Sequence, residues 1–541
     1  VHISTEPRPR RVFSDPSARS RLFAAAAAAY FLLAGVFFVP HLGVQNDEAL
    51  FASPLFQPKD WFFRIRLFHS DIALLLMSYL GTLKTLLYKP LFRWLGVSPA
   101  VVRVPMIAAG ALTIYLFYRL LDRVAGKRAA CIGTTLLAAD SLYLLTTCFD
   151  WGPVTLQHLL LIAGMLLAVR FYQEGDRAAL FGSFLLFGLG VWDKALAFWM
   201  LAGIFAAALV TVGPAIRAAI NLRHLLIAAA AFCIGASPFL VYNLTHRFGS
   251  IGENSGRDFS DIAGRARLLQ NTLNGQGMFG WLVEEDSQTP RPHLPDTPAQ
   301  RLSAGISSIA GHPRHSLMVY GFFLALLAAP FARGGKLRVI VFAAIALTVA
   351  WLLMATTANA GGSVHHIILL WPLPAMLMAA SLDAGSRRLG RSGLLAAIAI
   401  TAVLAGSEFL VTNEYYAVMN RNGGSLPWTD AVYKVSDYLR SRPPAKMVAC
   451  TDWGILDSLR LLNRGSLPLR WGADDEGATL AGELADGGAL FVGHPTGREV
   501  FAGKLEQLTQ RAAALGYHRE VETAVFDSYG RPAFEVFRFI R

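Results

Sequence analysis

The residues best suited to chemistry are few, and each sits at the edge of an apolar run. Asn46-Asp47-Glu48 places two adjacent carboxylates a few positions after the first run. Such a pair can supply a general base, and mutual repulsion can raise one of the two pKa values. The competing reading is a solvated loop end. Asp150-Trp151-Gly152-Pro153 turns the chain from one apolar run straight into the next. A carboxylate at that depth is costly unless paired, and it could also cap the following helix, with Pro153 in the first turn. Trp192-Asp193-Lys194 closes another run. Lys194 could pair with its neighbour, snorkel, or hold a phosphate as a point charge. Gly361-Gly362-Ser363-Val364-His365-His366 opens a later run, and glycines before a helix start suit an anion. Neighbouring helical residues do not share a face, so one functional histidine beside one structural histidine is expected. His69-Ser70-Asp71 adds a candidate histidine and two candidate helix caps. Glu284-Glu285-Asp286 reads as a solvated acidic cluster.

Several chemistries are excluded. The chain carries no Walker loop, GxSxG or HExxH pattern, so an ATP-driven mechanism has no support. A substrate already activated on a lipid would need no nucleotide site. The four cysteines are irregularly spaced, which supports neither a disulfide framework nor a zinc site.

The elements that must position these residues are membrane helices. Of 541 residues, 54% are apolar and only 16% charged, against about a quarter charged in soluble domains. Apolar runs at 22–40, 101–118, 129–148, 154–172, 178–192, 195–212, 224–242, 316–332, 337–357, 365–382 and 394–411 suggest about eleven spans. The net charge of +12 resides mostly in short loops between runs, which fits the positive-inside rule better than nucleic-acid binding. A further stretch, 72–88, competes for a place. If it does not span, the basic loops 119–128, 170–177, 213–223, 333–338 and 386–391 all face the cytoplasm; if it spans, all are inverted. It is therefore expected to form an interfacial helix, with Lys84 and Lys89 at the membrane surface. The basic start (Arg8, Arg10, Arg11, Arg19, Arg21) leads into a retained anchor.

The expected layout is a cytoplasmic segment 1–21, a membrane domain 22–411 with long outer loops 41–100 and 243–315, and an extracytoplasmic tail 412–541. The tail reads as α/β: strands at Met447–Thr451 and Ala489–Gly493, an amphipathic helix over 498–515, and a hairpin joining Val521–Phe526 to Ala533–Phe537. The fold class is thus mainly α and polytopic, with a C-terminal soluble α/β domain.

The order of features resembles the GT-C superfamily of membrane glycosyltransferases, near the protein O-mannosyltransferase and aminoarabinose transferase families. The features are Asn46-Asp47-Glu48 after the first run, Leu95-Gly96-Val97 and Val102-Arg103-Val104-Pro105 at the second, Leu120–Arg128, Asp150 after the third, and Gly188-Leu189-Gly190 leading to Lys194. The resemblance implies a bacterial inner-membrane enzyme that moves a sugar, with inversion, from a polyprenyl-phosphate donor. The acceptor would be an extracytoplasmic glycan, lipid or protein. It implies Asp47 as base with Glu48 beside it and Asp150 as the second acid. Lys194, one of His365 or His366, and Arg66 would meet the donor phosphate, with His69 and Asp71 as further candidates. Some relatives use a divalent metal, which the Asp-Glu pair and an isolated Asp150 do not establish. The rival readings are a transporter or lipid flippase, disfavoured by span interiors almost free of charge, and an anchored binding protein whose tail is the active part.

Overall fold

The computed structural model describes residues 18–57, 61–67, 70–358, 360–443 and 445–541; His69 and the basic residues Arg8, Arg10 and Arg11 lie outside them. Every expected apolar run is helical. Among the described residues, seven helices are long and apolar enough to cross a membrane: Ala18–Phe38, Pro99–Val124, Val154–Glu174, Ala197–Ala219, Gly335–Ala355, Val364–Arg387 and Gly390–Asn422. Two bent pairs, Lys127–Ala139 with Ser141–Cys148 (55°) and Leu222–Gly235 with Ser237–Thr245 (78°), raise the number to nine. Eleven is reached only with the shorter helices Arg177–Asp193 and Met318–Phe331.

The first bend has a local cause. Asp140 stops one helix and caps the next, its Oδ1 accepting from the Tyr143 amide at 2.8 Å. Its other oxygen accepts from Trp371 Nε1 at 2.7 Å.

Helix Arg177–Asp193 delivers Asp193-Lys194 to the site, and glycines set its position. A Cβ on Gly188 would lie 2.3 Å from the Phe232 carbonyl oxygen, and one on Gly235 2.3 Å from that of Leu185. The two backbones touch as small residues allow in lipid. Gly188→Leu should cost about 1–3 kcal/mol through overpacking, seen as a lower unfolding midpoint in detergent. An unchanged midpoint would contradict the packing.

The expected interfacial helix over 72–88 is not formed. Phe63–Leu67, Ser70–Met77 and Leu80–Gly81 make a three-stranded antiparallel sheet, and a helix begins only at Leu83–Leu95. The apolar run is strand because its end pairs with distant chain: the Ala195 amide donates to Tyr79 O at 2.9 Å, and Leu80 bridges Lys194. Gly81 permits that contact, since a Cβ there would sit 1.9 Å from the Trp192 carbonyl oxygen. Nor does Lys84 lie at the membrane surface; it is wholly buried.

The last long helix continues past residue 411 to Asn422. Beyond it lies a five-stranded sheet in the order Leu469–Trp471, Met447–Cys450, Ala489–Gly493, Pro532–Ile540, His518–Phe526. The first three strands are parallel and the last two antiparallel. Alternation along the strands divides the core between two faces. Val448, Cys450, Leu490 and Val492 meet Val435, Leu439 and Leu459 on one side. Ala449 and Phe491 meet Leu480, Leu505 and Leu508 on the other. The result is a three-layer α/β domain. It sits on the long loop after the first helix: Ser53 Oγ donates to Asp457 at 2.7 Å, Gly43 N to Trp428 O at 3.0 Å, and Tyr433 OH to Leu42 O at 3.2 Å.

The acidic cluster 284–286 is not merely solvated. Arg531 lies 3.2 Å from Glu284, Arg314 2.8 Å from Glu285 and Arg421 2.7 Å from Asp286. Two of these partners come from far along the chain, where local sequence gives no sign of them.

Candidate active site

The loop after the first helix turns abruptly after Phe38. Gln45 caps the short helix Asn46–Ala49, accepting from the Asp47 amide at 2.6 Å, while Glu48 reaches back to the Gln45 amide at 3.4 Å. This cap points two adjacent acids in different directions.

Glu48 is wholly buried and faces Arg103. The guanidinium donates from Nε to Oε1 at 2.6 Å and from Nη2 to Oε2 at 2.9 Å, a bidentate fork. Its remaining donors hold the carbonyls of Val39 (2.6 Å), Leu42 (3.4 Å) and Gly43 (2.9 Å). Both charges and the loop backbone are thereby satisfied, and the guanidinium also lies over the Phe149 ring at 5.1 Å.

Asp150 is also buried and paired. Oδ1 accepts from Lys84 Nζ at 2.6 Å and Oδ2 from Tyr88 OH at 2.5 Å. Lys84 Nζ also donates to Gly152 O at 2.9 Å and lies 4.3 Å over the Phe51 ring. Burial raises the Asp150 carboxyl to about 7 against the opposing pull of Lys84; at 2.6 Å from an ammonium, we assign it as the carboxylate of an ion pair. Asp150 does not cap the next helix, which starts at Val154 with Pro153 at the cap position. Its own φ of +45° turns the side chain away from that helix, toward Lys84.

Asp47 differs from both neighbours. It is half-buried and, among the described residues, makes no direct ion pair. Trp151 Nε1 donates to its Oδ2 at 3.1 Å. Burial pushes its pKa up, and the Lys194 charge is the largest influence pulling it back. Lys194 in turn is lowered to about 8 by burial, with Asp47 and then Asp193 opposing the shift. Asp193 is held by Gln157, whose Nε2 donates at 3.0 Å, leaving Oδ1 buried without a partner.

Aromatic rings pack around Trp151 beside these side chains. Trp151 stacks on Trp281 at 5.7 Å, meets Trp428 edge-on at 6.2 Å and lies 4.6 Å from the His365 ring. His365 Nδ1 is 2.5 Å from Ser363 Oγ, and His366 packs 4.2 Å behind it, its own Nδ1 buried without a partner. The charge on Lys194 reaches both rings.

The structure therefore brings together Asp47, Asp150, Lys194 and His365, with Glu48 and His366 in the layer behind. It does not bring in Arg66 or Asp71. They face each other near the hairpin tip, about 20 Å along the strand from the Leu80–Lys194 contact. His69 is outside the described residues. Sequence reasoning missed Lys84, Tyr88, Arg103, Gln157 and the tryptophan lining. A signal existed for two of them: Lys84 and Arg103 are cations inside apolar stretches, which normally mark a paired or functional group.

The donor set does not fit a divalent cation. Among the described residues no group of three or more His, Cys, Asp or Glu side chains is arranged to hold a metal ion, and the acids nearest Asp47 are already committed to Arg103 and Lys84.

A helical membrane body, a mixed loop carrying an acid, and an α/β domain packed on that loop make up a fold shared with solved membrane proteins. The family model described as dolichyl-phosphate-mannose-protein mannosyltransferase matches residues 66–242. ArnT from Cupriavidus metallidurans bound to undecaprenyl phosphate superposes with a TM-score of 0.56 at 13% identity, over 95% of this chain and 97% of that one. Its apo state gives 0.57 at 14% identity over the same shares. The archaeal oligosaccharyltransferase AglB from Archaeoglobus fulgidus, in complex with an inhibitory peptide and a dolichol-phosphate, gives 0.50 at 13% identity, over 96% of this chain and 74% of that one. No curated protein matches the chain.

Proposed function

We propose that this protein is a glycosyltransferase that moves a sugar from a polyprenyl-phosphate donor to an acceptor on the side of the membrane carrying the C-terminal domain. The observation that carries the proposal is the pairing of roles between Asp47 and Lys194. Of the three clustered acids Asp47, Glu48 and Asp150, only Asp47 makes no direct ion pair among the described residues, and the charge of Lys194, whose ammonium has no hydrogen-bond acceptor among them, acts on it. A carboxylate can take the proton of an acceptor hydroxyl. An ammonium can meet the charge that develops on a departing phosphate. His365 and the tryptophans are suited to border the donor. Attack by the acceptor on one face of the sugar while phosphate leaves from the other gives inversion.

Glu48–Arg103 and Asp150–Lys84 act as positioning pairs in this reading. They hold the loop that carries Asp47 and the turn that carries Trp151. The oligosaccharyltransferase-like and ArnT-like folds, with the lipid phosphates named for those structures, support the donor class. A transporter would need charged groups along a path through the bundle. The buried charges at this end are instead clustered beneath the α/β domain and mostly neutralised in pairs.

The test is release of free polyprenyl phosphate from polyprenyl-phosphate sugars by the purified protein, followed against pH. Asp47 must be ionised, and its pKa is raised by burial, so kcat/KM should climb only above the usual carboxylate range. Lys194 must be protonated, so kcat/KM should fall as pH passes about 8. Lys194→Arg, if active, should lose that upper limb, because a guanidinium keeps its proton. A profile flat well beyond pH 8 would contradict the lysine's role.

A further inference from the structure

At the end of the bundle opposite Asp47 lies a cavity of about 470 Å³. It opens between helices Pro99–Val124, Val154–Glu174, Arg177–Asp193, Ala197–Ala219 and Gly335–Ala355. Met165, Phe184, Phe187, Phe205 and Phe342 are typical of its walls. The volume falls in the range of ligand sites, about 300–1,000 Å³. Its polar groups gather where the helices end: Arg123, Gln173 and Arg338. Arg123 is shared with Gln173 Oε1 at 3.1 Å and Glu174 at 2.7 Å. Arg338 is exposed, and among the described residues its guanidinium has no acceptor or acid.

We propose that this cavity binds an anionic phospholipid from the leaflet on that side, tail among the aromatic walls and phosphate on Arg338 and Arg123. The catalytic proposal makes no use of this cavity. An acyl chain gains little by leaving the bilayer for an equally apolar cavity, so discrimination between lipids rests on the headgroup. Two arginines face it against one carboxylate, and the nearby loops 119–128, 213–223 and 333–338 add further basic residues. Basic pockets between membrane helices select anionic headgroups in this way. Zwitterionic lipids place a choline or ethanolamine cation against the same arginines.

The experiment is native mass spectrometry of the full-length protein in detergent, titrated with phosphatidylglycerol or phosphatidylcholine of matched chains. Wild type should retain phosphatidylglycerol about fivefold or more in preference, the contribution expected of one surface arginine. Arg338→Gln, a change at an exposed side chain, should remove that preference while the protein stays folded. Ala208→Phe, which fills the cavity, should lower retention of both lipids. Equal retention of the two lipids by wild type would overturn the proposal. So would a preference that survives Arg338→Gln, or retention indifferent to Ala208→Phe in a protein whose folding is confirmed by its unfolding midpoint.

Discussion

Asp47→Asn should lower sugar transfer by about 10²–10⁴-fold, the usual contribution of a general base, while leaving the protein folded. Asparagine keeps the shape of the side chain, and its amide oxygen can still accept from Trp151 Nε1, which donates to Asp47 at 3.1 Å. Donor binding should survive, because removing a negative charge beside Lys194 leaves the ammonium freer to meet a phosphate. The loss should therefore fall on kcat rather than on donor affinity. The measurement is single-turnover transfer at saturating donor, with unfolding midpoints as the control. Near-normal turnover in this variant would remove Asp47 from the chemistry. The companion change Glu48→Gln should act differently, since both Glu48 oxygens are held by Arg103. Its effect should appear in stability as well as in rate.

Arg103→Met should have the largest effect on stability. It strands Glu48 as an unpaired charge in a site with no solvent access and deprives the carbonyls of Val39, Leu42 and Gly43 of their donor. Breaking a buried pair by removing one partner costs about 3–5 kcal/mol, whereas replacing both partners with apolar groups can be nearly neutral. The double variant Arg103→Met with Glu48→Leu should accordingly be more stable than Arg103→Met alone, although the loop carbonyls keep it below wild type. Thermal unfolding of the set in detergent reads the order. A double variant no better than the single would show that the ion pair is not what the arginine satisfies.

Much of this architecture was readable from apolar runs, because lipid leaves helices as almost the sole option for a spanning segment. Four strands of the C-terminal sheet were readable too, where short β-rich runs met turn residues, but the three-residue edge strand Leu469–Trp471 was not. The hairpin over 63–81 was not, because Ile72–Met77 is as apolar as a buried helix and periodicity cannot separate the two. A clue lay upstream: Phe63-Arg64-Ile65-Arg66-Leu67 alternates apolar and basic side chains with the period of a strand.

At the site, sequence identified the acids but could not rank them. Asp47 and Glu48 are neighbours with the same chemistry. What separates them is Arg103, which takes one from a distance of 55 positions, and Trp151, which meets the other from 104 positions away. Asp193 accepts from Gln157 at 3.0 Å, and the charges of both Asp47 and Asp193 act on the Lys194 ammonium.

The most direct measurement is the affinity of the purified protein for a polyprenyl phosphate, compared between wild type, Lys194→Met and Asp47→Asn. Binding should be at least about tenfold weaker in Lys194→Met, the scale of one charge-assisted contact, and undiminished in Asp47→Asn. Equal affinity in wild type and Lys194→Met, with both proteins folded, would contradict the lysine's role in meeting phosphate.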